Sequence, residues 1–422
     1  MNPRIPGGGK TFVLPLILAL IPAASGNSRG AVIPNLKISD LFILVISIYL
    51  IFNFNFGTKL SDQIGISIVI FTLIGISTSV ININERSEIT GGVLIKSLLT
   101  FPQYLLTYLI AFWASQKSDL QTTFMKYSIR ISAIVSILAI VEFIDLFGLR
   151  GILSTYTGNA ETINYPSWKT YRASSVFFSW HALSMYLSMN FYFGISLLRR
   201  SNPRTLDVVQ LIIIAVGIFS TLTFTPALLC FIALLKWKFI RLGHLFYLII
   251  GLITIFGILA VQGKPVLGSR LKDQFLDENG GLQLLPQTIS FRLQVWSESI
   301  IPVILDNFWS GYGFSDEGTT EFFRYSESMY FYLLLSGGVF LFLSFMFMQF
   351  VSYKQLAIDN GQQTSRNSTD SASLLSTLII WLMIFSLIHP YFADTGPAFA
   401  YFILLGLQRG NSIENDQRRY LE

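Results

Sequence analysis

The chain has 422 residues and a formal net charge of +5, with 52% hydrophobic and 13% charged side chains. So few charges, about half the share usual in soluble domains, and a mean hydropathy of +0.57 exclude a soluble protein of two or three domains; the basic excess then reports membrane orientation rather than nucleic-acid binding. A single cysteine, Cys230, and three histidines, His181, His244 and His389, exclude a disulfide framework and leave too few ligands for a Cys- or His-rich metal centre.

Apolar runs long enough, or nearly so, to cross about 30 Å of hydrocarbon lie near 11–25, 39–55, 63–81, 93–115, 126–147, 173–198, 206–221, 224–240, 244–262, 328–352, 373–389 and 395–408. They predict an all-α polytopic membrane bundle of about twelve transmembrane helices. The first run, preceded by Arg4 and Lys10 and followed by Ala23-Ala24-Ser25-Gly26, is read as a retained helix, with a cleaved signal peptide as the alternative. The block from Leu206 to Ile240 is split at Thr225-Pro226, since proline breaks and starts helices. Basic residues such as Lys126, Arg130, Arg199, Arg200, Lys236 and Lys238 fall on the side that holds both termini, which is therefore the cytoplasmic side. Charges near run ends, including Lys96, Arg130, Glu142 and Asp145, are expected to snorkel to the interface.

Three regions result. Residues 1–262 carry most of the helices and an outer loop near 148–172; residues 263–327 form one long outer loop with an amphipathic helix; residues 328–422 carry the remaining helices and a cytoplasmic tail. A loop as long as 263–327 inside a compact bundle is usually functional.

The outer loops hold Arg150, Arg172, Arg270, Arg292 and Arg324. Basic residues there oppose the orientation trend. A guanidinium fork suits phosphate oxygens, although any one of these arginines is equally explained by an ion pair with a nearby acid. His181 follows Arg172 into a membrane helix and is a candidate site residue, or else a neutral histidine bonded to a backbone carbonyl. Ser290 is a plausible N-cap of the amphipathic helix, whose apolar face would comprise Phe291, Val295, Trp296, Ile300 and Ile304, with Arg292 in its first turn. A Gly311-Tyr312-Gly313 turn follows. Glu327 heads the next membrane helix three residues after Arg324, as a capping acid or as a general base.

Taken in order, Arg172, Arg292 with Trp296, Gly311 with Gly313, Glu327, and the pair Gly337-Gly338 resemble the pattern of the O-antigen polymerase and ligase superfamily. The resemblance covers about 165–340 at motif level. It implies a GT-C-like, metal-independent and cofactor-free inverting glycosyltransferase in the bacterial inner membrane, with its site facing the periplasm. The donor and acceptor would be glycans on undecaprenyl diphosphate, held at the lipid bilayer. A chain-length regulator and a flippase are partners that the resemblance leaves open; nucleic acid is not one. By position, Arg172 and Arg292 would bind the diphosphate; Glu327 as the base rests on the chemistry of a carboxylate at the helix start. Arg270, Arg324, His181, Trp296, Tyr312 and Tyr325 are substrate-binding candidates on chemistry alone. Ligases of the superfamily usually carry His where this chain has Glu327, which favours a Wzy-type polysaccharide polymerase. Transfer of a finished glycan by a ligase, and a lipid-glycan or anion transporter, are the alternatives.

Overall fold

The structure, a computed structural model, describes residues 13–25, 38–53, 62–85, 91–115, 120–157, 172–177, 179–200, 205–236, 287–313, 326–362, 366–392 and 395–421. Among the described residues it is all-helical. In chain order the helices are α1 (Val13–Ala23), α2 (Ile38–Asn53), α3 (Gln63–Glu85), α4 (Gly91–Ser115), α5 (Leu120–Ile144), α6 (Leu149–Thr157), α7 (Trp180–Arg200), α8 (Thr205–Ser220), α9 (Phe224–Lys236), α10 (Gln287–Val295), α11 (Ile301–Asp306), α12 (Met329–Gln362), α13 (Arg366–Phe385) and α14 (Thr395–Leu421). Each apolar run expected from the sequence overlaps a helix in its described part, except 244–262, which lies outside the described residues. Within α3, α5 and α12, three segments are long and apolar enough to cross a membrane: Gln63–Ile81, Leu120–Ile144 and Met329–Asp359.

Large apolar side chains face outward as well as inward. Phe340, Leu343, Phe347 and Phe350 form an outward stripe on α12, with Phe350 62% exposed. Their spacing of three and four residues marks one helix face. Meanwhile Ser67, Thr107, Ser132, Ser136, Ser184, Ser188 and Asn190 are buried between helices. Helices in hydrocarbon gain little from hiding leucine from lipid, so they pack through small and hydroxyl-bearing residues. Gly217 shows this packing: a Cβ there would meet Ser136 at 2.6 Å.

Helices α7 and α14 form the centre, and residues 182–198 and 396–408 are buried almost all round. The most extensive helix pair is α4 with α14. One end of that pair is closed by a buried ionic knot. Arg409 donates from Nε to Asp62 at 2.6 Å and from Nη1 to Asp359 at 3.1 Å, and the Tyr108 hydroxyl donates to Asp62 at 2.8 Å. The knot joins α3, α4, α12 and α14 at the end of α12 away from Met329.

Two local expectations are corrected. The stretch after Arg172 is not helical until Trp180; residues 173–177 form turns, and Ser175 has a positive φ of 51°. Ser290 lies inside α10 and does not cap it, since the helix begins at Gln287.

Candidate functional site

The outer segment 287–313 is shaped by two breaks in regular geometry. Between α10 and α11, Trp296–Ile300 is a π turn, in which the Ile301 N–H donates to the Trp296 carbonyl. One π turn shifts the helical register by a residue, and such turns concentrate at functional sites. It accounts for the position of Phe291, which is 53% exposed and off the face formed by the buried Ile300 and Ile304. The expected five-residue apolar face therefore begins at Val295.

The second break lies in α12. Gly337 and Gly338 leave helical geometry (Gly338 φ 65°, ψ −164°), so the carbonyls of Leu335 and Ser336 lose their intrahelical donors. The Gly311-Tyr312-Gly313 turn supplies replacements: Tyr312 N–H donates to Leu335 O at 2.5 Å and Gly313 N–H to Ser336 O at 2.9 Å. In return the Val339 N–H donates to Phe308 O at 2.9 Å. Glycine is required by contact as well as by conformation. A Cβ on Gly311 would lie 2.6 Å from the Gly338 nitrogen, and one on Gly338 would lie 2.1 Å from the Trp309 carbonyl oxygen. The two glycine motifs are thus halves of one clip that fastens the outer segment to α12. Tyr312 belongs to this clip, and its hydroxyl donates to Val303 O at 3.0 Å.

The clip brings Arg292 to Glu327. The guanidinium Nε donates to a Glu327 carboxylate oxygen, and the side chains are 18% and 38% exposed respectively. Glu327 sits just ahead of α12 with φ at 40°, a left-handed backbone unusual for a non-glycine residue. Its neighbours hold it there. The Trp296 indole N–H donates to Ser326 O at 2.7 Å; the Met329 N–H and the Ser328 hydroxyl donate to Ser386 O at 2.8 and 3.3 Å. Trp296 also meets Phe331 edge-on at 5.1 Å.

A second group adjoins the first. The Arg172 guanidinium lies over the Trp180 ring, 5.1 Å from its centroid, and Trp180 touches His181 at 5.5 Å. His181 packs against His389, with ring centroids 4.1 Å apart, and His389 against Tyr391 at 4.7 Å. Both Arg292 and His389 are within electrostatic reach of His181. Five of the expected site residues, Arg172, His181, Arg292, Trp296 and Glu327, therefore gather where α7, α10, the start of α12 and the α13–α14 turn meet. Arg270, Arg324 and Tyr325 lie outside the described residues. Arg150 is placed elsewhere, its Nη2 donating to Phe143 O at 3.0 Å at the end of α5.

Two residues of this region were not singled out as site residues from the sequence. His389 is a lone histidine at the end of an apolar run, and nothing in its spacing points to His181. Glu142 was expected to snorkel; instead it is fully buried. Its carboxylate accepts the Ser175 N–H at 2.6 Å and the Ser174 N–H at 3.1 Å. It thereby shapes the turn that carries Arg172 into α7. Glu142→Gln turns one acceptor into a donor facing those amides and is expected to destabilise the protein by about 1–3 kcal/mol. Thermal unfolding in detergent checks this, with the exposed Glu298→Gln as a neutral control.

Comparison with protein-family models and with curated proteins found no match to this chain.

Proposed function

We propose that the protein polymerises lipid-linked oligosaccharide repeat units, as a metal-independent inverting glycosyltransferase of the bacterial inner membrane with its site at the periplasmic face. The observation that carries this reading is the pairing of Arg292 with Glu327 beside Arg172, Trp180 and His181, at the helix ends of an apolar bundle. A guanidinium on a carboxylate, with a second guanidinium reached through Trp180 and His181, supplies the groups that glycosyl transfer from a diphosphate needs: donors for the leaving group and an acceptor for a hydroxyl proton.

In the reaction, an acceptor sugar hydroxyl attacks the anomeric carbon of the donor glycan from the side opposite the diphosphate. The new C–O bond forms as the bond from the anomeric carbon to the phosphate oxygen breaks. The hydroxyl proton passes to the Glu327 carboxylate, a general-base role. The undecaprenyl diphosphate leaves against Arg172 and Arg292, where oriented donors act on the developing charge. The apolar outer stripe of α12 suits a lipid-carried substrate, since the polyprenyl chain stays in the bilayer while the diphosphate reaches the helix ends.

The test is reconstitution of purified protein with defined lipid-linked repeat units. A ladder of products supports polymerisation. Transfer of one finished glycan to a different acceptor supports a ligase, and movement of lipid-linked units across the membrane without a new glycosidic bond supports a transporter. Because arginines neutralise the diphosphate, EDTA is expected to leave ladder formation unchanged. Loss in EDTA with recovery on adding Mg²⁺ or Mn²⁺ would show that a divalent ion does that work.

A further inference from the structure

The Arg292–Glu327 contact poses a chemical conflict. The residue expected to bind phosphate and the residue expected to accept a proton are occupied with each other. We infer that this ion pair is a resting latch: an incoming phosphate oxygen takes the place of the Glu327 carboxylate on Arg292, and the released carboxylate then turns to the acceptor hydroxyl. The latch rests on the reading of Arg292 as a phosphate ligand and adds how the base is kept idle until the donor is bound.

Three observations carry the exchange. First, Glu327 takes only the Nε–H of Arg292, and the guanidinium makes no other hydrogen bond among the described residues. Its Nη groups remain available, so phosphate can engage before the carboxylate lets go, and a guanidinium fork favours two-point contact over one. Second, the carboxylate is the more exposed partner, 38% against 18%, so it is the side with room to leave. Third, Glu327 is held in a left-handed backbone pinned on both flanks, through Ser326 to Trp296 and through Ser328 and Met329 to Ser386. The backbone stays fixed while the side chain swings. Strained residues of this kind concentrate at bistable sites.

The exchange makes Glu327 a competitor of the ligand. Removing its charge should therefore tighten anion binding, the reverse of what loss of an ordinary binding residue does. The experiment is calorimetric titration of inorganic pyrophosphate into the full-length protein in detergent: wild type, Glu327→Gln, Arg292→Ala and the double variant. Glu327→Gln is expected to bind pyrophosphate about three- to tenfold more tightly, and the gain should vanish on the Arg292→Ala background. Glu327→Ala is a second variant expected to show the same gain, and thermal unfolding confirms that each protein is folded. Unchanged or weaker binding in both Glu327 variants, with Arg292→Ala still weakening it, would overturn the latch and leave the anion site standing. Pyrophosphate binding that ignores Arg292 would overturn both.

Discussion

Arg292→Ala is expected to abolish polymer formation while the protein still accumulates in the membrane. Loss of a donor that acts on developing charge costs about 10²–10³ in rate. Here the same change also frees Glu327 from its resting partner. Lysine should restore little, because an ammonium can replace the charge but not a fork that can hold Glu327 through Nε and phosphate through its Nη groups. The measurement is ladder formation in reconstituted vesicles, normalised to folded protein. Full activity in the alanine variant would remove Arg292 from the site.

Gly338→Ala is expected to do comparable damage without touching a charged residue. The backbone at φ 65° and ψ −164° is open only to glycine, and the new Cβ would lie 2.1 Å from the Trp309 carbonyl oxygen. Strain and overpacking together cost roughly 2–5 kcal/mol, enough to open the clip. The outer segment would then lose its anchor on α12, and Arg292 its register against Glu327. Displacement of a positioning group by about 1 Å can cost 10²-fold in rate. Gly151→Ala is the control, since a Cβ there meets nothing within 4 Å. If Gly338→Ala keeps both its melting temperature and its activity, the clip does not position the site.

What the sequence discloses and what it hides follows from the range of the interactions. Helices were legible because an apolar run is a local signal, and the break before α9 was legible because Pro226 marks it. Arg172, Arg292 and Glu327 could be singled out because charge is conspicuous in an apolar chain. Their partners were not legible. Gly311-Tyr312-Gly313 and Gly337-Gly338 each look like an ordinary turn or weak helix point, and only the freed carbonyls of Leu335 and Ser336 show that one completes the other. Helical periodicity puts Phe291 on one apolar face with Ile300 and Ile304 because it assumes an uninterrupted register, which the π turn at Trp296–Ile300 breaks. A carboxylate near a run end normally reaches water, so the sequence points Glu142 to the interface; here the amides of Ser174 and Ser175 replace water.

The ionic knot at the other end of the bundle bears on how the protein is made. Asp62 precedes α3, Asp359 lies late in α12, and their shared cation, Arg409, is carried by α14. Gln121 of α5 likewise waits for Gln408, 2.9 Å away. During synthesis α14 emerges after every other described helix. Until it inserts, two carboxylates bound for the interior have no counter-charge, and α4 lacks its most extensive neighbour. Burial of an unpaired carboxylate is costly enough to hold a nascent bundle open. The bundle therefore closes only when α14 arrives, and a chain stalled before α14 would leave Asp62 and Asp359 at the ends of α3 and α12 without Arg409.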